Sequence, residues 1–221
     1  MTTYATMRSR ITDEISDSNL TSQINAAIQS AIAFYERQRF YFNSRVTDTF
    51  SLVANQEYYG SAALAAIPNL IEIDDMYATI GTTRYQILPA TFDEIAAMQD
   101  GGMTGDPPYR YAYHAQQLRM YPIPSAVRTV TMSDHYRLTA LSADGDSNAW
   151  TTDAEELIRC HAKHDLATNV INDDGMAARM ERRIPMLLQA LKSETRRRRS
   201  LKVLRVDAPF VAGDAYDIRT G

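Results

Sequence analysis

Apolar residues at the start of the chain recur with a period near 3.6. Tyr4, Met7, Ile11 and Ile15 share one helix face, and beyond the polar break Asp17-Ser18-Asn19 a second series runs through Leu20, Ile24, Ala27, Ile28, Ala31, Phe34 and Tyr35. The spacing predicts two helices joined by a short capped turn. The second leads into Phe34, Tyr35, Phe40, Tyr41 and Phe42, a cluster with enough buried area to anchor the pair to the next part of the chain.

At Arg45 the period changes. Val46, Thr47, Thr49, Phe50 and Val53 are β-branched or aromatic and predict a strand over Arg45–Val53, with a turn at Asn55-Gln56 into Glu57-Tyr58-Tyr59. Ile67-Pro68 interrupts the chain. Asn69–Ile80 alternates in part, with Ile71 and Ile73 on one face and Glu72 and Asp74 on the other, and Gly81-Thr82-Thr83 turns it back into Arg84–Leu88 as a hairpin. Thr91-Phe92-Asp93-Glu94 reads as a capping box that opens a short helix to about Gln99, stopped by Gly101-Gly102. Tyr109–His114, a turn near Gln116-Gln117, Leu118–Tyr121 and Arg128–Leu138 supply further strands. Residues 45–149 therefore form a small antiparallel β module with an inserted helix.

The helical period returns afterwards. Thr152-Asp153-Ala154-Glu155 is a second capping-box pattern, followed by Leu157, Ile158, His161, His164 or Asp165, Leu166 and Ile171 at helical intervals. Asn172-Asp173-Asp174-Gly175 ends that helix, and Met176, Met180, Ile184, Leu187, Leu188 and Leu191 continue as a last one, kinked or tightened at Pro185. The predicted class is α+β: a helical bundle of an N-terminal pair (1–44) and a C-terminal pair (150–199), the inserted β module, and an extended C-terminal tail over 200–221, which has no evident fold-back partner.

Charge then separates the two ends of the molecule. The 221 residues carry 23 basic and 27 acidic side chains, formally −4. Residues 176–221 hold 11 basic against 5 acidic groups, so a basic end follows an acidic body. Such asymmetry fits two ends facing different partners, one of them anionic. The single cysteine, Cys160, excludes a disulfide scaffold and fits a reducing compartment. No apolar stretch reaches the ~20 residues of a membrane span, so neither export nor membrane insertion is expected from the chain's own signals.

Catalytic signatures are sparse. Cys160, His161 and His164 offer at most three metal ligands where structural zinc wants four, and a helix face with an i,i+4 His161/Asp165 pair is the simpler account. Gly101–Gly105 lacks the Lys-Ser/Thr of a phosphate loop, and no Gly-x-Ser-x-Gly elbow occurs. Asp74-Asp75 and Asp173-Asp174 sit at predicted element ends, where aspartate serves turns and caps. The strongest local signal is Arg196, Arg197, Arg198 and Arg199 with Lys192, Lys202 and Arg205. A contact with an acidic partner protein ranks first, favourable cations at a helix C-terminus second, and DNA phosphates third, since no base-reading motif accompanies the run. No catalytic residue, metal site or cofactor is assigned.

The order of the pieces carries a resemblance. Phe40-Tyr41-Phe42 is followed by Thr49-Phe50-Ser51-Leu52-Val53, Glu57-Tyr58-Tyr59, Ile67-Pro68 and Ile71-Glu72-Ile73-Asp74-Asp75. Leu88-Pro89-Ala90-Thr91, Asp106-Pro107-Pro108-Tyr109-Arg110-Tyr111-Ala112-Tyr113, Leu118-Arg119-Met120-Tyr121-Pro122-Ile123-Pro124, Asp134-His135-Tyr136 and Ser147-Asn148-Ala149-Trp150 complete it. Over residues 1 to about 195 the chain resembles the head-to-tail adaptor proteins of short-tailed bacteriophages, the ring beneath the portal. The resemblance implies a non-enzymatic virion protein without cofactors, a homo-oligomeric ring, expected to be a dodecamer, joined to the portal protein above and to tail nozzle or tail fibre proteins below. DNA would pass through without sequence recognition, serving genome ejection, and the chain would be made in the host cytoplasm. The arm that would bind portal or a neighbouring subunit is Arg196, Arg197, Arg198, Arg199, Leu201, Lys202, Val203, Leu204, Arg205, Val206, Phe210 and Tyr216. The alternative is a DNA-binding or DNA-processing protein of phage assembly that uses the same arginines.

Overall fold

The structure is a computed structural model and describes residues 2–60, 64, 69–99 and 101–198. It is a mixed α+β fold with two hydrophobic cores. Six α-helices are present among these residues: α1 (Tyr4–Ile15), α2 (Thr21–Tyr35), α3 (Phe92–Met98), α4 (Ala149–Thr152), α5 (Glu155–Leu166) and α6 (Asp174–Arg198).

The first core gathers the helical apolar series. Met7 and Ile11 of α1, Ile24, Ile28, Ala31 and Tyr35 of α2, and Leu157, Ile158 and Leu166 of α5 are buried together with Phe40, Leu141 and Trp150. Trp150 meets Phe40 and Phe42 edge-on at 5.9 and 5.0 Å, a geometry that aligns the ring quadrupoles. Burial of rings this size contributes about 1.5–3 kcal/mol apiece. Asp17 accepts from Asn19 N–H at the predicted break, opening a single 3-10 turn, Ser18–Leu20. The start of α1 is tied to the loop before α4 by Tyr4 N–H to Asp146 O and Ala5 N–H to Asp144 O. Phe34 departs from the expected stripe. It lies on the outer side of α2, 57% exposed, because Tyr35 takes the inward position on that turn.

The second core lies between two sheets. Strands β1 (Ser44–Leu52), β3 (Leu70–Ile80), β4 (Thr83–Gln86) and β10 (Arg128–Tyr136) form an antiparallel sheet in the order β1-β10-β3-β4. Strands β2 (Tyr58–Tyr59), β5 (Leu88–Pro89), β7 (Arg110–His114) and β8 (Gln117–Tyr121) form the second, β2-β8-β7-β5, whose β5–β7 contact is parallel. Two short parallel segments, β6 (Thr104–Gly105) and β9 (Ile123–Pro124), pair beside them. Phe50, Leu52, Met76, Ala78, Val130 and Met132 of the first sheet pack against Tyr59, Tyr111, Leu118 and Met120 of the second.

Local chemistry explains most of these elements. The predicted capping box is present at α3, with Thr91 Oγ1 accepting from Glu94 N–H and Glu94 Oε2 from Thr91 N–H at 3.1 and 2.7 Å. Gly81 turns the β3–β4 hairpin at φ +59°. The β7–β8 turn falls at Ala115-Gln116, both left-handed, one residue before the expected place. The simple alternation expected in β3 is interrupted: a register shift at Asp74 moves the inward set from Ile73 to Met76 and Ala78. The second capping box is not at Thr152. Asn148 and Thr151 form it one turn earlier, opening α4, while the Thr152 hydroxyl donates to Asn148 O. After α5 the chain widens into one π turn, Ala167–Ile171, and Asn172 leaves it at φ +58°.

A charged seam joins the cores. Asp134 on β10 is fully buried, and its Oδ2 accepts from Arg45 Nη2 at 2.9 Å while Arg45 Nε lies 2.7 Å from Asp48 Oδ2. Burial pushes the Asp134 carboxyl up, against the pull of Arg45. The Arg45 guanidinium also stacks over the Tyr136 ring at 3.9 Å. Beside it, Asn43 Nδ2 meets His135 Nε2 at 3.0 Å, and burial lowers the imidazole pKa. Arg39 reaches across to Glu72 and Asp74 on β3.

Candidate interface at the C-terminal helix

The α6 helix begins with a cap made by Asp173, whose Oδ1 accepts from Met176 N–H at 2.9 Å. Twenty-five residues at ~1.5 Å each carry it about 37 Å. Ile184, Leu187, Leu188 and Leu191 lean on the helical core and on α5, whereas Met186, beside Pro185 inside the helix, is 72% exposed. The outer side is basic.

Its C-terminal turn is held by a bracket. Thr195, the one buried residue of α6, donates through Oγ1 to Leu191 O at 2.9 Å and accepts from Tyr41 N–H at 3.3 Å. The Arg198 guanidinium lies 3.9 Å from the Tyr41 ring centroid, and the Tyr41 hydroxyl donates to Asp153 Oδ1 at 2.5 Å. Burial, and then the bond to Asp153, push the Tyr41 pKa up to about 12. Glu194 accepts from Arg198 Nε at 2.7 Å and from Arg197, and the Arg198 bond is the first cause of its lowered pKa. One carboxylate thus pairs with two of the predicted arginines and offsets one of their two charges. Arg196 is exposed and makes no ion pair among the described residues.

Next to this bracket a groove of about 240 Å³ runs between α5 and α6. Leu157, Leu187 and Leu191 form its apolar floor, and Asp153, Glu156 and Glu194 stand on its rim. Arg183 of α6 pairs with Glu156 of this rim. An apolar floor under an acidic rim suits docking of a segment.

Of the predicted arm, Arg196, Arg197 and Arg198 form the last turn of α6. Arg199, Leu201, Lys202, Val203, Leu204, Arg205, Val206, Phe210 and Tyr216 lie outside the described residues, as does the Ile67-Pro68 step. The weaker candidates have structural occupations. His161 Nδ1 is 3.0 Å from the Tyr35 hydroxyl, not paired with Asp165, which instead accepts from Asn169. Cys160 is buried and its thiol pKa raised by that burial. Asp74 pairs with Arg39 while Asp75 accepts from Gln86 Nε2, and no three metal-capable side chains converge among the described residues. No described helix is long and apolar enough to cross a membrane. Sequence reasoning missed the Tyr41 bracket and the Arg45–Asp134 seam. Phe40-Tyr41-Phe42 signalled an anchor, but its polar member gave no hint of a partner more than a hundred residues away.

The described residues thus form a two-core α+β fold with a basic helix end and an acid-rimmed groove. The chain is a member of the SU10 adaptor protein family, whose model matches residues 2–207. None of the curated proteins matches it. Membership makes the chain a bacteriophage structural adaptor and a component of the virion.

Proposed function

We propose that the chain is the head-to-tail adaptor subunit of a short-tailed phage: a non-enzymatic ring, dodecameric by expectation, that joins the portal to the tail nozzle or fibres and lets DNA pass. The observation that carries this reading is the family match over residues 2–207. In this reading the helical part (1–44 and 150–199) is a bundle that lines the ring, the β-rich module (45–149) projects outward, and the arm from Arg196 onward reaches portal or a neighbouring subunit. Ring contacts between identical subunits are heterologous, so two different faces of each subunit must match. The Glu194 pairing of Arg197 and Arg198 favours a protein partner over DNA as the target of the arginines.

Deleting Ser200–Gly221 tests the role of the arm. The shortened chain should keep its far-ultraviolet dichroism and thermal transition but lose attachment to co-expressed portal. Undiminished portal binding would overturn the assignment. Tight DNA binding by the full chain that weakens steeply with salt would favour the nucleic-acid alternative.

A further inference from the structure

Among the described residues, the apolar clusters of the helical core and of the two sheets have no member in common. The chain crosses between the two parts at 36–43, on the way into β1, and at 137–148, on the way out of β10. Polar contacts hold this joint. Tyr136 donates through its N–H to Asn43 O at 3.1 Å and through its hydroxyl to Phe42 O at 3.2 Å, while Arg137 pairs with Glu36, and Arg39 with Glu72 and Asp74. At its centre lie the side chains of Asn43 and His135, both residues 1% exposed.

The Asn43 amide is locked in one orientation. Its Oδ1 accepts at 2.7 Å from Phe40 N–H, which can only donate, and its Nδ2 donates at 2.9 Å to Gln38 O, which can only accept. The second hydrogen of Nδ2 therefore faces His135 Nε2, 3.0 Å away, so Nε2 is the bare, accepting nitrogen and the ring is neutral. A proton on Nε2 sets donor against donor. The groups around the ring divide: burial first, and then Arg39, disfavour a second proton, whereas the Glu36 and Gln38 carbonyls and Glu72, opposite His135 on β3, favour it, and the net effect holds the imidazole below its ordinary value. Asp134, the residue before it, turns its carboxylate to Arg45. We propose that His135 is a proton-operated latch between the helical core and the β module: neutral, it holds Asn43 and keeps the joint closed, and protonated on both nitrogens it lets the joint open. Opening gives the ring to water, where it titrates near ~6.5. The open form therefore gains on the closed one as pH falls through that value, by about tenfold for each further pH unit until the closed ring also takes the proton, and at higher pH the joint is indifferent to acid.

Hydrogen exchange of the full-length chain, read amide by amide by NMR and corrected for the intrinsic rate at each pH, tests this. The Phe40 and Tyr136 amides, which donate to Asn43, should be less protected than those inside α2 and α5, because the joint opens without either core. Their protection should fall about tenfold from pH of about 7.5 to about 5.5. In His135→Gln, which keeps an acceptor for Asn43 and does not titrate, that fall should vanish. Asn43→Asp keeps the acceptor for Phe40 N–H and offers the ring a carboxylate, so there the slope should reverse and protection rise as pH falls. A purely structural histidine would give neither change, and the reversed slope decides the matter even where His135→Gln folds poorly. Equal protection at the joint and in the cores overturns the proposal, for the joint would then open only when the molecule unfolds. A fall of the same size in His135→Gln or in Asn43→Asp overturns it too. None of these outcomes depends on whether the ring forms at the portal.

Discussion

Replacing Arg45 with alanine should destabilise the protein more than any change to the carboxylates it serves. Its guanidinium lies 2.9 Å from Asp134 Oδ2 and 2.7 Å from Asp48 Oδ2, so one cation is shared by two acids, of which Asp134 is fully buried. Removing it leaves two carboxylates facing each other out of water, at a cost of about 3–5 kcal/mol. With a urea slope of roughly 2 kcal/mol per molar, the midpoint should fall by about 1.5–2.5 M. Asp134→Asn takes away the surplus negative charge and keeps an oxygen for Arg45 Nη2, so it should stay within about 1 kcal/mol of the parent. Trp150, the single tryptophan and 2% exposed, gives the fluorescence signal, with dichroism as a second probe of the β module. The pH dependence has a definite sign. Burial raises the folded pKa of Asp134, so this group's contribution is present in full below its unfolded pKa of about 3.9 and is lost as pH rises through the folded value. Asp134→Asn should therefore gain on the parent as pH increases from about 3.5 to 7. An Arg45→Ala variant less damaged than Asp134→Asn at pH 7 would refute the reasoning.

Two further outcomes rest on local geometry. Burial raises the pKa of both Tyr35 and Tyr41 to about 12, so in an ultraviolet titration of the native chain these two should fall in the group that ionises well after the exposed tyrosines, and Tyr41→Phe should remove one tyrosine from that late group. Thr91→Ala removes the hydroxyl that accepts from Glu94 N–H, and it should cost about 0.5–2 kcal/mol in urea melts, with faster exchange confined to α3 and its neighbours.

How far the fold can be read from residues depends on how local its cause is. The helical periods of Tyr4–Ile15 and Leu20–Tyr35, the Thr91 capping box and the Gly81 turn are set within a few residues of themselves, and all stand where the pattern predicts. The mistaken places are those where two local solutions compete. Asn148 and Thr152 both head capping sequences, and Asn148 wins because Trp150 must then point into the core against Phe40 and Phe42. In β3 the bulge at Asp74 is imposed by pairing with β10, which no window along β3 contains. The candidate interface was legible only as charge. Arg196–Arg198 are visible as a run, and the pairing of Arg197 and Arg198 with Glu194 is local to the helix, but the seat of Arg198 on Tyr41 depends on α6 reaching back to the segment before β1.

The adaptor role is tested most directly by cryo-electron microscopy of this chain co-expressed with its portal, or of purified particles. The account predicts a closed ring of this subunit on the portal, with the segment after Arg198 resolved against portal or a neighbouring copy. Particles whose portal vertex lacks the chain, together with salt-sensitive DNA binding by the free protein, would contradict it.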